Sequence, residues 1–217
     1  CEFVSTDHSR MIDGSPTWWT QEGVNRTIAG QAFDILLDLL GSCDPMSMRT
    51  DPITALDRLV NPTDAVQYIP LVFGYVTYSL GRQGQSRAIF VDAPGGVGTL
   101  TGGVGLAVSA QSVSPRQAAD FVQFASCQRS QQGTYVTAGG QPASLGAWRD
   151  PNANVAAAGF FQGTLDTLQK SFLRPRAAGY PQFQRDAADA IHSAVAAGAT
   201  APQLVDLLDD YWSRIGA

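Results

Sequence analysis

Apolar residues recur at spacings of three and four in Ile28, Ala32, Ile35, Leu36 and Leu39, again in Phe183, Ala187, Ala190, Ile191 and Ala194, and once more in Leu204, Leu207, Leu208, Tyr211 and Ile215. A period near 3.6 residues gathers each set on one side of a helix, so three amphipathic helices are predicted, each with one face against a core. Further helix starts are marked by Asp51-Pro52, Ser114-Pro115 and Asp150-Pro151. Each pairs a capping side chain with a proline whose missing N–H costs nothing in the first turn. Ser114 with Gln117 and Thr200 with Gln203 have the spacing of a capping box. Residues 65–72, 87–91 and 106–109 are short, rich in strand formers and bounded by turn residues, and are expected as strands. The glycine-rich runs 81–85, 95–105 and 139–140 are expected as loops, the middle one as a place where the backbone turns, crosses between lobes or lets a ligand come close. Helices flanking a few strands predict an α/β or mixed architecture.

Composition narrows the classes of function. The 217 residues are 44% hydrophobic and 15% charged, with 22 Gly and 12 Pro, as suits a globular chain with many turns. Net charge is −5 and Lys170 is the single lysine, so no basic patch exists to displace counterions from nucleic acid. No run of 18 apolar residues is present to span a membrane. Cys1, Cys43 and Cys127 lack CxxC spacing and, with only His8 and His192, form no zinc pattern. The opening residues do not read as a signal peptide. Cys1 itself reads either as a lipid-bearing first cysteine or as an ordinary buried or disulfide-bonded one.

Motifs for chemistry are missing. There is no GxxxxGK[ST], no GxSxG and no HExxH, and Gly96-Val97-Gly98 lacks a third glycine in step. His192 sits on an amphipathic helix as a solvated or hydrogen-bonded side chain; His8, near Asp7 and Asp13, is the one conceivable acid–base group. Asp34 with Asp38 and Asp209 with Asp210 read as solvated helix surface. Asn25-Arg26-Thr27 is a formal glycosylation sequon, and Asn61-Pro62-Thr63 is excluded by its proline. No catalytic residue, metal site or cofactor is expected. What remains is an excess of aromatic, amide and guanidinium side chains in loops: Trp18-Trp19 and residues 73–78, 141–148 and 174–180. Flat rings stack on the C–H faces of a sugar while amides and guanidinium groups bond its hydroxyls, the alternative being that Phe73 and Trp148 are core residues.

Taken in order, Tyr68-Ile-Pro-Leu-Val-Phe-Gly-Tyr-Val-Thr-Tyr78, Phe90-Val-Asp-Ala-Pro94, Thr101-Gly-Gly-Val-Gly-Leu-Ala-Val-Ser109, the Ser114–Phe124 segment, the Tyr135–Pro142 segment and Leu173-Arg-Pro-Arg176 resemble the extracellular solute-binding proteins of sugar-type ABC importers, from about Asp57 to the end. The resemblance implies an α/β, helix-rich, two-lobed fold of the periplasmic binding-protein type II kind, closing on ligand by a hinge. It places residues 1–97 and 132–217 in the second lobe and 98–131, with a crossover strand and helix, in the first. The implied ligand-binding residues are Phe73, Gly74, Tyr75 and Tyr78 for stacking, Gly102 and Gly103 for backbone hydrogen bonds, and Arg176, Gln141 and Trp148 for hydroxyl recognition. The implied ligand is a carbohydrate or similar polar solute, with polyamines and glycerophosphodiesters as non-sugar alternatives and an enzyme reusing the fold as the rival class. Implied partners are ABC permease membrane subunits and an amino-terminal lobe of the same protein lying ahead of this region. The implied location is extracellular or periplasmic, anchored as a lipoprotein. Under that reading Cys1 is not the lipid anchor, and a Cys1–Cys43 disulfide within one lobe becomes an option.

Overall fold

The computed structural model describes residues 19–20, 23–96, 98–174 and 178–215. The chain divides into two compact units, one of residues 1–50, 97–101 and 170–217 and the other of residues 51–96 and 102–169.

The first unit is built on the three helices that the apolar periodicity predicts. A two-residue antiparallel hairpin, β1 (Trp19–Thr20) with β2 (Gly23–Val24), leads into α1 (Arg26–Ser42). The Asn25 side chain accepts from the Ile28 N–H at 3.2 Å and so caps α1. Ile28, Ala29 and Phe33 of α1 pack with Tyr180, Phe183, Ala187 and Ile191 of α10 (Tyr180–Ala196) and Ala201, Leu204, Val205 and Leu208 of α11 (Ala201–Ser213). Tyr180, Phe183 and Trp212 add an aromatic edge, the Phe183 and Trp212 rings meeting edge to face at 5.1 Å. Gln203 Oε1 accepts from the Thr200 N–H at 2.8 Å, as the capping box predicts. The acids on α11 are more than solvated surface: Arg26 bridges Asp206 and Asp209, and Asp209 also accepts from the Val24 N–H at 3.3 Å. His192 donates from Nε2 to the Met48 carbonyl at 2.6 Å, a tethering role.

The second unit is a run of short helices around one aromatic cluster. Its elements are α2 (Pro52–Val60), α3 (Val76–Leu80), α4 (Pro115–Ser126), α5 (Gln128–Ser130) running into a π-helical turn (Gln131–Tyr135), α6 (Leu145–Trp148), α7 (Pro151–Ala156), α8 (Phe160–Gly163) and α9 (Leu165–Gln169). Asp51 caps α2 by accepting from the Ile53 and Thr54 N–H groups, and Asp150 caps α7 by accepting from Ala153. These bonds from backbone N–H groups hold the Asp51 carboxyl below its ordinary value, the Thr54 N–H foremost. Ser114 precedes α4 as predicted but its side chain makes no capping bond, so the expected Ser114–Gln117 box does not form. Between α7 and α8 the backbone turns through left-handed conformations at Ala158 (φ 52) and Gly159 (φ 81). Asn154 pins that turn: its side-chain nitrogen donates to the Trp148 and Asp150 carbonyls, and its Oδ1 accepts from Gln162 N–H at 2.7 Å. The turn sets Phe160 and Phe161 side by side against Trp148.

The structure is helix-rich, as expected, but the strands are not where they were predicted. Among the described residues, strand pairing is confined to the β1–β2 hairpin and one parallel bridge between Leu100 and Phe172. Residues 65–72, 87–91 and 106–109 form no sheet. Their β-rich composition is a demand for a neighbour rather than a structure in itself, because a strand is held by a second backbone and by cross-strand side chains. No described neighbour meets that demand: the N–H groups of residues 89–92 and 102–108 bond to no other described residue.

Candidate functional site

Two of those unpaired segments wall an open groove of about 470 Å³ in the second unit. One wall is residues 61–72, following the end of α2; the other is residues 86–94. Local bonds set each wall. Arg58 reaches out of α2 to grip the Asp64 carboxylate with two bonds, Nε to Oδ2 at 3.0 Å and Nη2 to Oδ1 at 3.1 Å, while Asp64 Oδ1 accepts from the Val66 N–H at 3.0 Å. Asn61 folds the preceding turn by accepting from the Thr63 N–H and hydroxyl. On the other wall Ser86 donates to the Val60 carbonyl and Ala88 to the Tyr78 carbonyl. A reciprocal latch closes the far end, where Ala93 N–H donates to Thr167 Oγ1 and Thr167 N–H donates to Asp92 Oδ1, both at 2.7 Å.

Two glycines let this second wall lie against the helices behind it. A Cβ on Gly163 would stand 2.6 Å from the Phe90 carbonyl oxygen, and one on Gly74 would stand 2.8 Å from the Phe160 ring. Phe90 in turn meets Phe160 edge to face at 5.0 Å, so the groove wall rests on the aromatic core of the unit.

The residues expected to bind ligand are divided among different surroundings. Gly74, Tyr75, Gln141 and Trp148 come together in one region: Gly74 packs on Phe160, Phe160 touches Trp148, and Gln141 Oε1 accepts from the Val76 N–H at 3.3 Å, capping the helix that begins after Tyr75. Trp148, 5% exposed, is a core residue whose indole N–H donates to the Pro142 carbonyl at 2.7 Å. Phe73 is half-buried, and Tyr75 is exposed. Tyr78 turns toward α2, its hydroxyl donating to Asp57 Oδ1 at 2.9 Å; burial first, and the Asp57 carboxylate second, raise its pKa. Gly102 and Gly103 are exposed, with open space where a side chain would point. Arg176 lies outside the described residues, as do His8, Trp18 and Cys1. Cys43 and Cys127 carry free, exposed thiols.

Residues not selected from the sequence line the groove instead. Tyr68 presents a ring 68% exposed at its edge, and Asn61, Gln67, Arg87 and Asp92 supply amide, guanidinium and carboxylate groups. Of these, Tyr68 and Asp92 fall within the Tyr68–Tyr78 and Phe90–Pro94 segments, whereas Asn61, Gln67 and Arg87 lie outside both and carry no local signal. Among the described residues no cluster of three or more His, Cys, Asp or Glu side chains is arranged to hold a metal, and no described helix is long and apolar enough to cross a membrane.

The Arg58 guanidinium holds the Asp64 carboxyl below its ordinary value, with the Val66 N–H adding to the effect. A carboxyl depressed on folding stabilises the protein above its unfolded pKa and loses that contribution as pH falls through the folded value. Asp64→Asn is therefore expected to reduce neutral-pH stability modestly and to remove part of the stability loss as the pH falls below the ordinary carboxylate range of about 4. Urea midpoints measured across that fall in pH for both proteins check this; parallel pH curves would refute it.

No family model matches the chain, no curated protein matches it, and no solved structure matches it. The fold and site define a helix-rich protein whose second unit carries an open groove of mixed polar and apolar lining among the described residues.

Proposed function

We propose that this protein captures a sugar or sugar-like solute without transforming it, as the binding component of a membrane importer. The observation that carries the reading is the groove. Two sequence segments that resemble those of sugar-type solute-binding proteins, beginning at Tyr68 and Phe90, are brought from about 20 residues apart to line one concavity. Its volume falls in the range typical of small-molecule sites, and its lining joins an exposed ring with amide, guanidinium and carboxylate groups. In this reading Tyr68 stacks on the sugar face, Asn61, Gln67 and Arg87 bond hydroxyls, and a further lobe of the same polypeptide supplies a facing wall in a type II binding-protein fold. In this reading the loaded protein delivers its solute to a membrane permease from the extracellular or periplasmic side.

A calorimetric and thermal-shift panel of mono- and disaccharides, with a polyamine and a glycerophosphodiester as non-sugar arms, tests the proposal. A ligand that binds only the folded state raises its stability, by about 2.7 kcal/mol at one hundred times its Kd. At least one sugar is expected to raise Tm, and Tyr68→Ala is expected to weaken it about tenfold while leaving the unliganded Tm nearly unchanged. A response confined to a non-sugar arm would replace the solute class, and silence across the whole panel at millimolar concentration, measured on the polypeptide that carries both walls, would sink the capture reading.

A further inference from the structure

Helix α4 presents an apolar face that nothing in its unit covers. Ala118, Val122 and Ala125 are half-buried on its inner side, while Phe121 and Phe124 are 62% and 58% exposed on its outer side. No residue of this 12-residue helix is buried. The chain leading into it has the same character: Val104 is 93% exposed, Leu106 and Val113 are exposed, and the backbone N–H groups of residues 102–108 bond to no described residue. Isolated exposed apolar side chains are ordinary, but a consecutive stretch joining unpaired backbone to two exposed phenylalanines marks an interaction surface.

Charge and area together select the occupant. Between Thr101 and Ser126 the only charged residues are Arg116 and Asp120, so the stretch is neutral although the chain carries −5. The two lie one helical turn apart beside the phenylalanine face, are exposed, and make no ion pair with any described residue. A surface carrying one unpaired cation and one unpaired anion is complementary to itself under a two-fold axis, because each charge meets its opposite on the other copy. Antiparallel packing of α4 on a second α4 sets Arg116 of one copy against Asp120 of the other, with Phe121 and Phe124 of each copy flanking the charge pairs and Phe124 reaching toward Val113 of its neighbour. Covering all the exposed apolar side chains from Val104 to Phe124 would remove at most on the order of 700 Å² per copy, just below the ~800 Å² per partner of a standard interface, which sets the expectation of a reversible rather than a permanent dimer.

We infer that the 102–126 stretch is a self-association surface, and that its occupant is a second copy of this chain packed about a two-fold axis through α4. The groove lies on other segments, so the inference stands apart from solute capture.

Sedimentation velocity of the full chain across about 1 to 100 µM is the test. A 23.0 kDa chain is expected to sediment as a reversible dimer at the upper end. Phe121→Asp with Phe124→Asp is expected to yield monomer throughout with unchanged far-UV circular dichroism. Arg116→Asp alone sets two acids against two acids and is expected to weaken the dimer at least tenfold; combining it with Asp120→Arg is expected to restore most of the affinity. A wild-type chain monomeric at 100 µM would overturn the inference, and would hand the face to another part of a longer polypeptide. A dimer indifferent to the phenylalanine and charge variants would overturn it equally, by locating the contact elsewhere. Should the phenylalanine variant lose its helical signal, the charge-reversal pair alone decides, since both of its residues are exposed on the helix surface.

Discussion

Phe161→Ala is expected to destabilise the protein by about 3–5 kcal/mol, the range for truncating a fully buried phenylalanine. Phe161 is fully buried, with Trp148 at 5.2 Å and Phe160 at 5.6 Å between ring centroids, the latter edge to face. Deleting the ring removes its own transfer energy and both aromatic contacts, and leaves a void. That void cannot close easily, because the Ala158–Gly159 turn and the Asn154 bonds fix the start of α8. Urea unfolding followed by tryptophan fluorescence should show a lower midpoint with an unchanged slope. The effect should also reach the groove, since Phe160, which packs on Phe161, supports Phe90 in its wall. A loss under 1 kcal/mol would mean that this cluster does not organise the second unit.

The second large effect belongs to the other core. Leu204 is fully buried where α1, α10 and α11 pack, in the cluster with Ile28, Phe33, Phe183 and Leu208. Leu204→Ala is expected to cost about 2–5 kcal/mol, whereas Leu207→Ala, on a half-buried position of the same helix, should cost less than half as much. The comparison isolates burial from helix propensity, because leucine and alanine differ little as helix formers and both variants make the same exchange. Equal losses at the two positions, measured by urea midpoint, would show that α11 is not oriented by its apolar stripe.

The first unit was largely legible in advance. Ile28 and Ala32 in α1, Phe183, Ala187 and Ile191 in α10, and Leu204 and Leu208 in α11 were all expected on inner faces and are all buried. The caps at Asp51, Asp150 and Thr200 were legible for the same reason: a capping bond spans three residues or fewer, so its cause lies within a few letters of text. Ser114 shows where that locality stops, since a capping side chain can be present without making the bond. The three expected strands rest on strand-forming residues bounded by turn residues, and those features say only that a segment would pair well. Whether it pairs depends on a second segment that local sequence does not name.

The candidate site followed the same division. The segments beginning at Tyr68 and Phe90 are two of the six that carry the resemblance, which implies Phe73, Tyr75 and Tyr78 rather than the Tyr68 end that lines the groove. Trp148 reads equally well as a stacking residue or a core residue, and its place between Phe160, Phe161 and the Pro142 carbonyl makes it core. Asp209, read as solvated surface, is engaged because Arg26 and the Val24 N–H lie about 185 residues away in sequence and adjacent in space.

Although α3 and α6 fall in segments expected as loops, the sequence by itself determined the three long helices of the first unit, the starts of α2, α4 and α7, three of the four expected caps, which faces turn inward, and the absence of the short motifs of phosphate binding and hydrolysis. These all depend on spacings of a few residues along one chain segment. Only the tertiary structure decided that residues 61–72 and 86–94 face one another across a groove, that Gly74 and Gly163 allow the wall to rest on Phe160 and α8, and that α4 keeps its phenylalanines outside. Those outcomes depend on contacts between segments distant in sequence, where each partner's position is set by the packing of all the others.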